Sequence, residues 1–121
     1  MDGDDLGLSP TDLKSVLSQT NIVIHSAASI GLEADVQHSL RSNYIGTRRL
    51  LGLASQMPNL RCFVHVSTAY VNVNFPKGSS VDEVLYPLVI GKQEAQHADI
   101  VDDLMSLEPE SANTRVGAYI P

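Results

Sequence analysis

"FVHVSTAYVN", residues 63–72, decides the fold. Phe63, Val64 and Val66 suit a strand buried between two layers, and the run then stops at two hydroxyls, Ser67 and Thr68, with the phenol of Tyr70 close behind. An apolar strand ending in small polar groups is the pattern of a parallel sheet, where ligands bind beyond the carboxyl ends of the strands. The same pattern occurs upstream. "NIVIH", residues 21–25, is a second short apolar run, and Ser26, Ala27, Ala28 and Ser29 follow it.

Between these runs lies the longest periodic segment, about residues 34–57. Val36, Leu40, Asn43, Thr47, Leu50, Leu51 and Ala54 recur at spacings that put them on one helical face, and Pro58 closes the helix. Strand, helix, strand is a βαβ unit, and such units build parallel sheets with helices on their faces. The fold class expected is therefore α/β, a partial Rossmann-like parallel sheet with flanking helices. An earlier helix is expected from about residue 10 to 18, with Ser9 as N-cap and Pro10 at the first helical position. A later one is expected over about 91–107. Residues 75–83, "FPKGSSVDE", carry loop chemistry, and residues 108–121 show no clear pattern.

Composition narrows the function classes. The 121 residues are 43% hydrophobic with a formal charge of −6, which suits one small globular domain and argues against a nucleic-acid surface. No apolar run approaches the ~20 residues of a membrane span. Met1 is followed by Asp2, Asp4 and Asp5, which is no secretory signal, and Cys62 is the lone cysteine, expected to pack as a small hydrophobe. An intracellular, reducing setting is the expectation.

Two matched strand ends point to chemistry. Small residues let a flat ligand approach the backbone, and a neutral hydroxyl can stabilise a carbonyl oxygen that gains charge. Asn43 is an amide on the helix face that carries the apolar residues, so it needs hydrogen-bond partners. Gly46, in the helix interior, suggests close backbone approach. His25, His38, His65 and His97 have no metal-ligand spacing, and no metal is expected. Asp102, Asp103, Glu108 and Glu110 read as a solvated helix face and its exit.

"NIVIHSAAS", "NYIGTRRLLGLAS" and "FVHVSTAYVN", in that order and spacing, resemble the extended short-chain dehydrogenase/reductases. With "LYPL" at residues 85–88, the closest likeness is to fatty acyl-CoA reductases and their thioester-reductase relatives. The likeness runs from about Gly3 to Pro87. It implies NADPH-dependent reduction of a long-chain acyl-CoA to an aldehyde or alcohol. It also implies roles: Thr68 on the substrate carbonyl with Ser67 beside it, Asn43 in a proton relay, Ser26, Ala27 and Ala28 against the cofactor, and Asp4 near its adenine. By the same resemblance the protein is cytoplasmic or on a peroxisomal or endoplasmic-reticulum membrane. Other nicotinamide-dependent thioester reductases, nucleotide-sugar epimerases or dehydratases of the same fold, and a non-catalytic truncated protein are the alternatives.

Two family features do not occur in these residues. GxGxxG, which seats a pyrophosphate on a helix N-terminus, is absent. So is the Tyr-x-x-x-Lys proton donor, because Tyr44, Tyr70 and Tyr86 are followed at the fourth place by Arg48, Asn74 and Ile90, and Tyr119 stands too near the end. The expectation is a partial domain over residues 1–121, without its glycine-rich half or its substrate region, and inactive alone.

Overall fold

The computed structural model describes residues 5–31, 35–68, 72, 75–84, 86, 88–90 and 93–117. They form β1 (Ile22–His25), β2 (Cys62–His65), β3 (Leu88–Ile90) and β4 (Gln93–Ala95). The helices are α1 (Pro10–Gln19), α2 (Val36–Ser39), α3 (Gly46–Ala54), α4 (His97–Ser106) and α5 (Pro109–Val116), with a π-helical segment (Leu40–Ile45) joining α2 to α3. The chain divides into two compact units, one of Met1–Leu32 with Ser39–Ser67, the other of Glu33–His38 with Thr68–Pro121.

In the first unit, α1 starts as its residues demand. The Ser9 hydroxyl accepts from the Asp12 amide at 3.2 Å, and Pro10, which has no N–H to leave unpaired, follows the cap. The helix ends at Thr20, whose amide and hydroxyl both donate to the Val16 carbonyl. β1 and β2 then pair in parallel, Ile22 opposite Cys62 through His25 opposite His65. The ladder continues one step further, with the Val66 amide on the His25 carbonyl at 2.8 Å. The βαβ unit expected from the sequence is present.

The two faces of this sheet differ. Val23, His25 and Phe63 are half-buried or buried, and His25 reaches Thr47 of α3, so α3 lies on their side. The alternate face is open. Ile22 and Ile24 are 59% and 68% exposed, Val64 and Val66 are 41% and 54%, and Cys62 is exposed as well. The strands are therefore not buried on both faces, and Cys62 does not pack as a core residue. The cause lies in the period of two: residues 22, 24, 62 and 64 point away from the side on which α3 lies. The buried apolar side chains of this unit, Leu53, Ala54 and Met57, stand at the end of α3 and just beyond it.

An open apolar face of this kind drives association. The 121-residue chain is expected to bind a hydrophobic dye and to melt at a temperature that rises with protein concentration. Joint Ile24→Thr and Val64→Thr replacement should weaken both effects. Cooperative unfolding of a monomer, independent of concentration and without dye binding, would contradict this.

In the second unit, β3 and β4 form an antiparallel pair, Leu88 opposite Ala95 through Ile90 opposite Gln93. β4 and α4 occupy the stretch where one helix over 91–107 was expected. α5 was not expected; Pro109 at its first turn, after Glu108 at the N-cap, is the same start signal as Ser9-Pro10. Val101, Leu104 and Ala112 are its buried apolar residues, and the side chain of Gln37 is buried with them. The Gln37 amide donates to the carbonyls of Leu104 and Leu107 at 2.9 and 2.7 Å, which satisfies the C-terminal end of α4. Asn113 of α5 accepts from the Val36 amide at 2.8 Å. The exposed Arg115–Asp103 pair, 3.3 Å apart, contributes little beside these. The expected loop at 75–83 is a loop, turned at Gly78, whose φ of 89° is the left-handed value a type II turn requires.

Candidate functional site

Both strands of the parallel sheet end level. His25 lies opposite His65, their rings stacked at 5.1 Å between centroids and 26° between planes. Ser26 therefore leaves the sheet at the same edge as Val66 and Ser67. Ser26, Ala27 and Ala28 are exposed, and so are Ser67 and Thr68. Exposure at this edge leaves the side chains of Ser26, Ala27, Ala28 and Ser67 open to solvent. Asp4 and Tyr70 lie outside the described residues.

Asn43 is the residue the structure ties most firmly to this edge. Its Oδ1 accepts from the Ser29 amide at 2.7 Å, and its Nδ2 donates to the Ser29 carbonyl at 3.0 Å. The side chain thus pairs with one backbone residue as a neighbouring strand would. It is half-buried, and the two bonds match a donor and an acceptor on each side. Leucine there would leave the amide and carbonyl of Ser29 short of partners. Asn43→Leu is expected to destabilise this unit by about 1–3 kcal/mol. Denaturant unfolding would show it, and an unchanged midpoint would contradict it.

Asn43 sits inside the π segment, where the backbone advances with i→i+5 bonds, as from the Gly46 amide to the Arg41 carbonyl. π turns are rare and cluster at functional sites. Gly46 needs no special space, because a Cβ there would meet only the Arg41 carbonyl oxygen at 3.6 Å, an ordinary contact. The close approach expected from that glycine is not what the structure has. Thr47, one turn on, donates its hydroxyl to the Asn43 carbonyl at 2.6 Å and lies 2.8 Å from His25 Nε2.

His25, Ser29 and Thr47 were not singled out from the sequence as site residues. The signal available was that Thr47 shares the helix face of Asn43. The structure joins Asn43 to the segment that carries Ser26, Ala27 and Ala28.

The residues present fit one part of a dinucleotide. The small, exposed strand-end residues suit a flat ring. No glycine-rich phosphate turn occurs in the sequence. Among the described residues, no group of three or more His, Cys, Asp and Glu side chains could hold a metal ion. No helix there is long and apolar enough to cross a membrane.

A family model described as male sterility protein, an NAD-binding domain, matches residues 1–114. The chain belongs to that family. Membership assigns the parallel unit and its strand ends to a nicotinamide-cofactor domain of the Rossmann kind. Among curated proteins, this male sterility family member is 38% identical to human fatty acyl-CoA reductase 2 over 104 residues, 86% of this chain and 19% of the relative. It is 42% identical to the bovine fatty acyl-CoA reductase 2 over 83 residues, 69% of this chain and 16% of the relative. It is 35% identical to human fatty acyl-CoA reductase 1 over 118 residues, 95% of this chain and 22% of the relative. The chain thus spans about a fifth of the length of the curated relatives it matches. No solved structure matches it.

Proposed function

We propose that this chain is the section of a fatty acyl-CoA reductase in which the nicotinamide end of NADPH meets the thioester of a long-chain acyl-CoA. The observation that carries the reading is the level ending of two parallel strands, each followed by small polar residues, in a chain whose curated relatives are fatty acyl-CoA reductases.

Ser26, Ala27 and Ala28 would hold the flat ring of the cofactor, their size allowing close approach. The cofactor, when bound, supplies hydride to the thioester carbonyl. Thr68 donates a hydrogen bond to the carbonyl oxygen as that oxygen gains charge, and Ser67 is the secondary donor. A hydroxyl suits the task because it stabilises negative charge while staying neutral. Asn43 fixes the backbone of Ser29, and with it the end of the segment that faces the ring. Orienting groups of this kind lower the barrier by holding reactants in place before reaction.

The test is a chimera. The aligned section of human fatty acyl-CoA reductase 2 is replaced by this chain, and NADPH oxidation is followed with hexadecanoyl-CoA. Turnover within about tenfold of the parent enzyme is expected. A folded chimera that binds NADPH and forms neither aldehyde nor alcohol would overturn the reading and leave a non-catalytic role.

A further inference from the structure

We propose that His25 and Thr47 are positioning residues, forming with Asn43 and Ser29 a double lock that straps residues 26–28 to the helix at both ends. His25 and Ser29 are four residues apart along the chain, and so are Asn43 and Thr47. One rung joins His25 Nε2 to Thr47 Oγ1 at 2.8 Å. The other joins Ser29 to Asn43 through two bonds, 2.7 and 3.0 Å. Ser26, Ala27 and Ala28 are the three residues suspended between the rungs. They are exposed, while His25 is 6% exposed and Thr47 and Asn43 are half-buried.

Donor counting fixes how the first rung works. Thr47 has one hydroxyl proton, and the Asn43 carbonyl at 2.6 Å can only accept it. The Thr47 oxygen must then accept from His25, so Nε2 carries a proton. The chain runs from His25 N–H to the Thr47 oxygen, and from the Thr47 O–H to the Asn43 carbonyl. It ends on the residue whose side chain makes the second rung. The bonds lie inside the π segment or one turn beyond it, so losing the first rung removes a support of the geometry that aims Asn43 at Ser29. The stack of His65 uses the face of the His25 ring and leaves its edge, with Nε2, to Thr47.

Only the purpose of the strapped segment rests on the reductase reading; the lock is tested without catalysis. Site-resolved hydrogen exchange is measured on the 121-residue chain, with the Arg61 amide, bonded to the Asn21 carbonyl at the far end of the sheet, as internal reference. Relative to Arg61, the Ser29 amide should exchange at least about tenfold faster in Thr47→Val, which keeps the shape and loses the hydroxyl. In Thr47→Ser, which keeps the hydroxyl, it should stay within about threefold of the parent. Equal acceleration in both variants would make Thr47 a packing residue only, and no acceleration, or an unprotected Ser29 in the parent, would equally overturn the proposal. If Thr47→Val fails to fold, the nitrogen chemical shifts of His25 in the parent decide. A protonated Nε2 at neutral pH is expected, and an unprotonated Nε2 contradicts the lock.

Discussion

Thr68→Ala, made in the chimera, is expected to lower acyl-CoA turnover by about a hundredfold or more, the usual effect of losing one donor to a developing oxyanion. Thr68 stands just past a strand whose register is fixed through His65 and prolonged by the Val66 amide, so its backbone leaves the sheet at a defined point. Alanine removes the hydroxyl and keeps the Cβ. The loss should fall on kcat more than on KM, because the interaction strengthens as charge develops on the carbonyl oxygen. Ser67→Ala should cost less. Near-full turnover in Thr68→Ala together with a large loss in Ser67→Ala would transfer the role to Ser67.

The second large effect concerns the 121-residue chain by itself. It is expected to give no acyl-CoA-dependent oxidation of NADPH above a no-enzyme control. The glycine-rich turn that would seat the pyrophosphate does not occur in these residues, and without that hold the ring would not be kept at the proposed site. Proximity alone can supply roughly 7–11 kcal/mol of rate advantage. Tyr44, Tyr70 and Tyr86 have no lysine four places on, so none of the three is an activated proton donor of that kind, worth about 10²–10⁴-fold. The two effects act on one assembled site and need not add. Aldehyde or alcohol formed by the chain alone, and abolished by Thr68→Ala, would show that the strand ends suffice.

The parts of this architecture legible in the sequence were those governed by local chemistry. Ser9-Pro10 announced α1, and the apolar runs announced β1 and β2 to within a residue or two of their ends. What the runs could not tell was which face would be covered. Ile22 and Ile24 are as apolar as Val23, yet only Val23 shares the side on which α3 lies. The long helix was legible as a helix but not as one with a π segment, because six residues are too few to separate the two periods. Its supports, His25 against Thr47 and Ser29 against Asn43, join residues 22 and 14 positions apart in the chain. Asn43 was visible because an amide among apolar residues needs partners; His25 was not, because a histidine at a strand end is ordinary. The β3–β4 pair was hidden because the helix expected over 91–107 took in β4, while Leu88–Ile90, three apolar residues with no period of their own, belonged to no expected element.

A crystal structure of the chimera with NADPH and a non-reducible acyl-CoA analogue would show where the ring and the thioester sit. The nicotinamide ring is expected in contact with residues 26–28, the Asn43 amide still on the Ser29 backbone, and the Thr68 hydroxyl on the oxygen that replaces the thioester carbonyl. A nicotinamide ring bound away from residues 26–28, with Thr68 hydrogen-bonded elsewhere, would contradict the proposed function.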